Sequence, residues 1–272
     1  MWSTLWLLLS LLIPVQAPAA RAPAPAVAPA GPKIWIGRYA EFEEFLRTAT
    51  IERTIGTPVG ITAPRHALFT PGGLAKGAAV KKLSPGRQDG FFESYKSEIA
   101  AYKLDRILEL DMVPPTVERK IDKEFAAVQV WIEDTRMLKD VQQQKLQAPN
   151  TDQWNKQLHR VYVFADLVGD IDMNAGNLLF DRDWNFVKID HSRAFTDTPN
   201  LPFDVKTRIK QIDRAFFDRV KALDQATVKR ELGELLETGG LPALFRRRDG
   251  IVKAFEELAQ KSGEAQVFVS WP

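Results

Sequence analysis

The segment spanning residues 172–190 constrains this chain more than any other feature. It opens with Asp172, carries Asn177 five residues later, and continues with an apolar run, a polar turn and a second apolar run that ends at Asp190. Two short apolar runs around a polar turn predict a β-hairpin. Three polar side chains would therefore stand close to the two ends of one small hairpin.

This order of polar residues is the one that phosphoryl transfer from ATP requires. Asp172 could accept the proton of an attacking hydroxyl, and Asn177 and Asp190 could hold Mg²⁺ against the phosphates. Asp170 lies two residues before Asp172, but the position five residues after it is Ala175. We therefore expect a kinase-like ATP site in which Asp172 is the base.

A cation for the nucleotide phosphates is expected on an earlier strand. Residues 78–81 read Ala-Ala-Val-Lys and resemble the Val-Ala-Ile-Lys pattern of nucleotide-binding lysines. Lys81 and Lys82 would face opposite sides of a strand, and Lys81 is favoured because it closes the apolar run. Glu98, on the next predicted helix, is the expected partner of Lys81, and Glu93 is the alternative.

The signals for the rest of a nucleotide site are less specific. No G-x-G-x-x-G occurs, so the phosphate-covering loop is assigned to the loop that contains Thr62 and Arg65, whose backbone N–H groups could face phosphates. Gln129 and Trp131, at the end of a predicted strand, are candidates for contact with adenine. Ordinary turns and a buried structural Trp are the competing interpretations.

Two residues that follow Asp190 are candidate auxiliary groups. His191 could position Asp190 or a phosphate, or simply be packed. Arg193 could neutralise Asp172 or Asp190, or bind a phosphorylated substrate. A basic cluster at 246–248, Arg-Arg-Arg, is interpreted as a solvated helix surface.

The N-terminal 33 positions differ in composition from the remainder of the chain. An apolar run at 5–13 and a small-x-small pattern at 17–19 predict a signal peptide over residues 1–19. The run is short for a membrane span, so an uncleaved N-terminal anchor is the alternative. Residues 20–33 predict an Ala/Pro-rich linker. We expect an exported protein, periplasmic or secreted, or one anchored to a membrane by its N-terminus.

Composition excludes several other classes of function. The net charge is +2, from 37 basic and 35 acidic residues, which gives no electrostatic case for a nucleic-acid partner. The chain has no Cys, so disulfides, thiolate metal sites and a Cys nucleophile are excluded. Its three His residues are far apart in sequence, which argues against a His-rich metal site.

Hydrophobic periodicity predicts an α+β protein with two lobes in residues 34–272. The first lobe, about 34–134, would be a small antiparallel sheet with one main helix; the second, about 135–272, would be mainly helical. The expected helices span 35–47, 90–110, a stretch from 152 onward, 205–223, 227–237 and 241–261. The expected strands span 55–61, 65–70, 77–83, a stretch from 113 and 126–132.

The residues above resemble the atypical members of the protein-kinase-like superfamily. The Asp-x-x-x-Gly-Asn at 172–177 is similar to the catalytic loop of phosphatidylinositol 3/4-kinases. The stretch 98–105 and the Val-Pro-Pro-Thr at 113–116 resemble secretory-pathway casein and xylose kinases and their bacterial relatives. The resemblance, over about 50–260, implies a two-lobed kinase-like fold.

The resemblance also implies a role for each matching residue. Lys81 would bind ATP phosphates, Glu98 would support that lysine or the metal, and Asp172 would be the base. Asn177 and Asp190 would bind Mg²⁺ or Mn²⁺. The expected function is transfer of the γ-phosphate of ATP to a hydroxyl of a protein, sugar or lipid. The alternatives are a pseudokinase that binds a nucleotide or a partner, and AMP transfer by the same site.

Overall fold

The computed structural model describes residues 33–56, 65–88, 90–203 and 205–271. The expected signal peptide, residues 20–32 of the expected linker, and Thr62 lie outside the described residues. Within the described ranges, no helix combines the length and the apolar character that crossing a membrane requires.

The first lobe is built around a five-stranded antiparallel sheet. In chain order, the elements of this lobe are α1 (Tyr39–Thr48), β1 (Ile51–Gly56), β2 (Arg65–Phe69), β3 (Gly77–Lys81), β4 (Gly86–Gln88), β5 (Phe91–Glu93), α2 (Tyr95–Ile107), β6 (Thr116–Ile121) and β7 (Glu124–Val130). The strand order of the sheet is β1-β2-β3-β7-β6. The two-stranded hairpin β4–β5 and the helix α2 come between β3 and β6 in the chain.

The two faces of this sheet have different partners. Ala78 and Val80 of β3 join the apolar cluster that contains Trp35 and Phe42, on the α1 side of the sheet. Because side chains alternate along a strand, Lys81 emerges on the opposite face, toward α2. The apolar run before Lys81 therefore fixes the direction in which its ammonium group points.

The start of α2 differs from the sequence prediction. The apolar pattern predicts a helix from residue 90, but Phe91–Glu93 forms β5 and pairs with β4. The helix begins only after Ser94, whose hydroxyl accepts the N–H of Lys96 at 3.0 Å. A serine N-cap satisfies an otherwise unpaired helix donor, so capping and not apolar periodicity sets this boundary.

The second lobe is mainly helical, with the predicted hairpin at its upper edge. In chain order, the elements of this lobe are β8 (Arg136–Met137), α3 (Leu138–Gln144), α4 (Thr151–Val168), β9 (Leu178–Phe180), β10 (Phe186–Lys188), α5 (Val205–Arg208), β11 (Ile212–Asp213), α6 (Arg214–Lys221), α7 (Gln225–Leu232), α8 (Gly240–Ser262), α9 (Glu264–Val267) and β12 (Phe268–Val269). The hairpin β9–β10 is antiparallel, and β9 also pairs with the short strand β8. The two-lobed α+β prediction is confirmed.

The single helix predicted over residues 205–223 is wrong. Two helices, α5 and α6, occupy this region, and the strand β11 separates them. Ile212 pairs in parallel with Phe268, and Asp213 caps α6 by accepting the N–H of Phe216 at 2.8 Å. The helix is interrupted because the backbone of β11 pairs with β12, a strand from a distant part of the chain.

The prediction that the three arginines at 246–248 form a solvated helix surface is also wrong for the middle one, Arg247. Successive helix residues are about 100° apart, so the three arginines of α8 face different directions. Arg246 is exposed, but Arg247 is fully buried. Its guanidinium donates to the carbonyl oxygens of Leu167, at 2.9 Å, and Thr196, at 3.3 Å. Arg247 thus joins the end of α4 to the segment that follows β10.

Candidate active site

The segment 170–177 begins where α4 ends. Gly169 has a φ of +65° and terminates the helix in the left-handed conformation that favours glycine. A Cβ atom there would lie 2.8 Å from the guanidinium carbon of Arg247, so no larger residue fits without displacing that side chain. At the other end of the segment, the carbonyl of Asn177 accepts the N–H of Ile189 at 3.1 Å. The segment is fixed at both ends.

Asp170, the first residue of this segment, fixes it to β10. It is fully buried, its carboxylate lies 3.0 Å from the ammonium of Lys188, and it accepts the N–H of Asp172 at 2.9 Å. Lys188 also donates to the carbonyl of Ile189 at 2.7 Å. This buried pair links the segment to the strand before Asp190. Lys188 is not among the residues predicted from the sequence, although a lysine inside an apolar strand is an available signal.

Asp172 and Asn177 come together as their spacing predicts. The Asn177 amide nitrogen donates to the backbone carbonyl of Asp172 at 2.9 Å. The amide oxygen of Asn177 accepts no hydrogen bond from the described part of the chain. The Asp172 side chain is 34% exposed. A carboxylate and an amide oxygen are therefore both presented on this segment.

Lys81 bridges two carboxylates from different lobes. Its ammonium lies 2.6 Å from Glu98 on α2 and 2.8 Å from Asp190. The alternatives are occupied elsewhere, because Lys82 pairs with Asp122 at 3.0 Å on the surface and Glu93 pairs with Arg193. The structure thus brings Lys81, Glu98 and Asp190 into one cluster.

The charges of this cluster stabilise one another. Burial alone would lower the pKa of Lys81, but the carboxylates of Asp190 and Glu98 outweigh burial and raise that pKa above its ordinary value. Burial alone would raise the pKa of each carboxyl group, but attraction to Lys81 lowers the pKa of both Glu98 and Asp190. All three groups are therefore charged at neutral pH.

Asp190 is held in an unusual backbone conformation. Its φ is +60°, in the left-handed region that Asp adopts more readily than most residues. The next N–H, of His191, donates to Glu98 at 3.0 Å, and the hydroxyl of Ser192 donates to Asp190 at 3.2 Å. The His191 ring is fully buried, and burial lowers its pKa. His191 therefore contacts Glu98 with its backbone N–H, and its ring Nδ1 lies 3.7 Å from the same carboxylate.

Arg193 contacts Asp172 instead of Asp190. Its Nη1 donates to Asp172 at 3.3 Å, and its Nε donates to Glu93 at 2.7 Å. Its guanidinium also lies 4.5 Å from the centre of the Phe91 ring. Among the roles left open by the sequence, the structure places Arg193 beside the predicted base.

A cleft of about 350 Å³ opens between the five-stranded sheet and the hairpin β9–β10. Its upper wall comes from β3 and β7, and its lower wall from β9 and the end of β10. The residues that line it include Ala79, Gln129, Trp131, Leu179 and Ile189. Because Ile189 directly precedes Asp190, the apolar lower wall leads to the charged cluster. Pockets with apolar walls and a few polar groups are typical of small-ligand sites.

The two residues predicted to contact adenine both line this cleft. Gln129 is buried and donates from Nε2 to the hydroxyl of Thr116 at 2.8 Å. Trp131 stacks on His66, with ring centres 3.9 Å apart. Arg65 differs from them, because its side chain is exposed and lies outside the cleft lining.

Oxygen atoms of Asn177 and Asp190, the two predicted metal ligands, suit a hard divalent cation. The amide oxygen of Asn177 and the ionised carboxylate of Asp190 are ligands that Mg²⁺ and Mn²⁺ accept. No group of three or more His, Asp or Glu side chains within the described ranges is arranged to hold a metal ion. A magnesium ion bound with a nucleotide commonly uses only one or two protein carboxylates, together with phosphate oxygens and water.

The two lobes, the lysine bound to a helix glutamate and the polar hairpin define a protein-kinase-like fold. Solved structures share this fold at low sequence identity. The Golgi casein kinase matches with a TM-score of 0.67 and 15% identity over 85% of this chain and 77% of that chain. A second structure of it, with Mn/ADP bound, matches with a TM-score of 0.65 and 14% identity over 86% and 80% of the two chains.

Two further structures support the same assignment of fold. Hydra Fam20, solved with sugar, has a TM-score of 0.63 and 14% identity over 85% of this chain and 92% of that chain. The Helicobacter pylori proinflammatory kinase CtkA has a TM-score of 0.55 and 10% identity over 80% and 98% of the two chains. No family model and no curated protein sequence matches the chain. The expected resemblance to atypical kinase-like proteins is confirmed in the fold.

Proposed function

We propose that this protein is an ATP- and divalent-metal-dependent phosphotransferase that moves the γ-phosphate of ATP to a hydroxyl group. The observation that carries the proposal is the position of Lys81, which is bound to Glu98 and to Asp190, the residue that follows Ile189 in the cleft wall. Support also comes from the solved structures with a similar fold, since several are of kinases and one contains bound Mn/ADP.

In the proposed reaction, each charged residue has a separate task. Lys81 binds phosphate oxygens while Glu98 keeps its ammonium in place. Asn177 and Asp190 would hold Mg²⁺ or Mn²⁺, which neutralises charge on the phosphates. Asp172 accepts the proton of the acceptor hydroxyl as the oxygen attacks, and its partial exposure leaves room for that hydroxyl.

The cleft supplies the nucleotide site of the proposal. Its apolar lower wall, formed by Leu179 and Ile189, suits the face of a purine ring. Gln129 and Trp131 line the opposite side and supply an amide group and an aromatic ring. The proposed acceptor is a hydroxyl of a protein, a sugar or a lipid. The hydra Fam20 structure was solved with sugar, which supports a sugar as one of these candidates. Export through residues 1–19 is a proposal that rests on sequence alone.

The melting temperature with and without ATP and Mg²⁺ or Mn²⁺ tests the nucleotide site. A ligand that binds only the native state stabilises it by about 2.7 kcal/mol at a concentration of 100 Kd. We expect a metal-dependent rise that Asp190→Ala abolishes. Asp183→Ala is the matched control, because Asp183 is an exposed carboxylate on the same hairpin, and it should retain the rise. Absence of any shift at millimolar ATP contradicts the proposal.

Labelled nucleotides then identify the reaction. Label from the γ-position of ATP should appear on an acceptor, and Asp172→Asn should lower the rate by about 10²–10⁴-fold, the usual contribution of a general base. Transfer of label from the α-position instead identifies AMP transfer. A melting shift without any labelled product identifies a nucleotide-binding pseudokinase.

A further inference from the structure

Arg193 links the predicted base to the first lobe. One edge of its guanidinium donates to Asp172 at 3.3 Å, and its Nε donates to Glu93 of β5 at 2.7 Å. Asp172 belongs to the segment after α4, whereas Glu93 lies just before α2. A single side chain therefore spans the two lobes beside the proposed reaction centre.

The anchor on the first lobe is buried and makes several contacts. Glu93 is only 4% exposed, so its bond to Arg193 is a shielded, charge-assisted hydrogen bond. The ring of Phe91, 4.5 Å from the guanidinium, adds a cation–π contact. The N–H of Ser94 also donates to the carbonyl of Ser192 at 2.9 Å. Both the backbone and the side chain of this region are thus held against β5 and the start of α2.

The Asp172 carboxylate, in contrast, needs neighbours to fix it. The terminal torsion of an aspartate has a broad energy minimum, and this side chain is one-third exposed. Its Oδ1 accepts from the amide of Asn174 at 3.0 Å, and its Oδ2 accepts from Arg193. Asn174 is exposed, and within the described residues its side chain is held by one other bond, from the N–H of Gly176 at 2.8 Å. Arg193 is held by both Glu93 and the Phe91 ring, so it is the more firmly fixed of the two donors.

We infer that Arg193 is a positioning residue, which orients the Asp172 carboxylate for proton acceptance and makes that orientation depend on the β4–β5 hairpin. The inference rests on the proposed function. This role requires two separate nitrogen donors in fixed directions, because Nε of Arg193 donates to Glu93 while Nη1 donates to Asp172. The planar guanidinium of arginine provides them, whereas lysine has one nitrogen at the end of its side chain.

The first test compares Arg193→Gln and Arg193→Lys with the wild-type protein. Both variants should lower kcat at least tenfold, while the ATP- and metal-dependent rise in melting temperature stays unchanged, since the hydrogen bonds of Arg193 go to Glu93 and Asp172. Arg182→Gln, at an exposed arginine on the β9–β10 turn, is the control and should retain wild-type kcat. An unchanged kcat in Arg193→Gln, or full activity in Arg193→Lys, overturns the inference.

A second test asks whether Arg193 acts through Asp172. In an Asp172→Asn background, Arg193→Gln should cause little further loss of residual turnover, because the group that it positions is gone. A further tenfold loss overturns the inference. Arg193→Gln also leaves Glu93 buried without its partner, so Glu93→Gln with Arg193→Gln is the substitute if the single variant does not fold.

Amide hydrogen exchange gives a readout that is independent of activity. Exchange in the segment 170–176 should be faster in Arg193→Gln than in the wild-type protein and unchanged in Arg182→Gln. Equal rates overturn the inference even if no acceptor is found. A wild-type protein that shows neither an ATP-dependent melting shift nor phosphate transfer contradicts the proposed function instead, so the two failures are distinguishable.

Discussion

At the scale of single residues, Lys81 has a structural role as well as its proposed role in binding phosphates. It is 9% exposed and lies between two carboxylates, of which Glu98 is 1% exposed. Removing one member of a buried ion pair leaves an uncompensated charge, which typically costs about 3–5 kcal/mol. Stability and the proposed binding of phosphates therefore depend on the same ammonium group.

Lys81→Met should accordingly lower the free energy of unfolding by about 3–5 kcal/mol. Its neighbour offers a control, since Lys82 pairs with Asp122 and Glu124 at the surface, and Lys82→Met should cost only about 0–1 kcal/mol. Urea denaturation of the two variants measures the difference. Adding Glu98→Gln to Lys81→Met should recover part of the loss, and equal costs for the two lysines would contradict this account.

Asp105, outside the cleft, gives the fold a dependence on pH. It is fully buried and accepts the N–H groups of Met112, at 3.1 Å, and Val113, at 3.2 Å. Burial raises its pKa from 3.8 to about 7. Between these values the folded protein holds a proton that the unfolded chain has released, so this carboxyl group makes stability fall as pH rises.

Asp105→Asn removes this titration while keeping the oxygen that accepts both N–H groups. The stability of the wild-type protein relative to the variant should fall between pH 4 and pH 7 by up to about 1.4 kcal/mol per pH unit. Denaturation curves of both proteins at several pH values measure that slope. A parallel pH dependence would show that Asp105 stays ionised in the folded state.

Sequence patterns could predict the main residues of the proposed active site but not the residues that support them. Asp172, Asn177 and Asp190 stand at diagnostic spacings, and Lys81 ends an apolar strand. No spacing reveals that Lys188 is buried against a carboxylate, because its partner depends on how the hairpin packs on the end of α4. The burial of Arg247 cannot be predicted from the sequence for the same reason.

At the scale of elements, the junction after α4 sets where the proposed base lies. The last carbonyl groups of a helix lack partners within the helix, and a cation there is favourable. Arg247 supplies it, donating to Leu167 at 2.9 Å and to Val168 at 3.3 Å. Gly169 lets the guanidinium approach, because it has no Cβ.

Gly169→Ala should therefore be more destabilising than an ordinary substitution at positive φ. Gly37 has a φ of +77°, and a Cβ there would meet open space to a distance of 4 Å, so Gly37→Ala measures backbone strain alone, about 1–3 kcal/mol. Gly169→Ala should exceed it, because Arg247 must also move. Thermal denaturation compares them. If Gly169→Ala costs no more than the control, the close approach contributes nothing.

Local propensity could predict most elements but not those made by distant partners. The long helices α4 and α8 and the hairpin β9–β10 follow from periodicity and turn residues. The aromatic residues of β5 match a helical period, so a local pattern predicts the start of a helix where the β4–β5 hairpin forms. The strand β11 depends on β12, which lies far along the chain, so no local window contains the information.

At the scale of the whole molecule, hydrogen bonds made by backbone groups of residues 191–194 join the two lobes near the charged cluster. The N–H of Ser94 donates to Ser192, and the hydroxyl of Ser97 donates to the carbonyl of Ala194 at 3.1 Å. Together with the bond from the His191 N–H to Glu98, they fix α2 against the segment after β10. The change from strand-rich to helix-rich sequence predicted two lobes, but contacts between lobes leave no pattern in either one.

The parallel pairing of Ile212 with Phe268 also has a consequence for how the protein is made. Chains are synthesised at about 5–20 residues per second, so β11 is complete several seconds before β12 exists. Neighbouring strands of the first lobe, such as β2–β3 and β6–β7, need no such delay. The lobe that carries Lys81 can therefore form while the helical lobe is still being synthesised, whereas the helical lobe is completed only after β12 has been made.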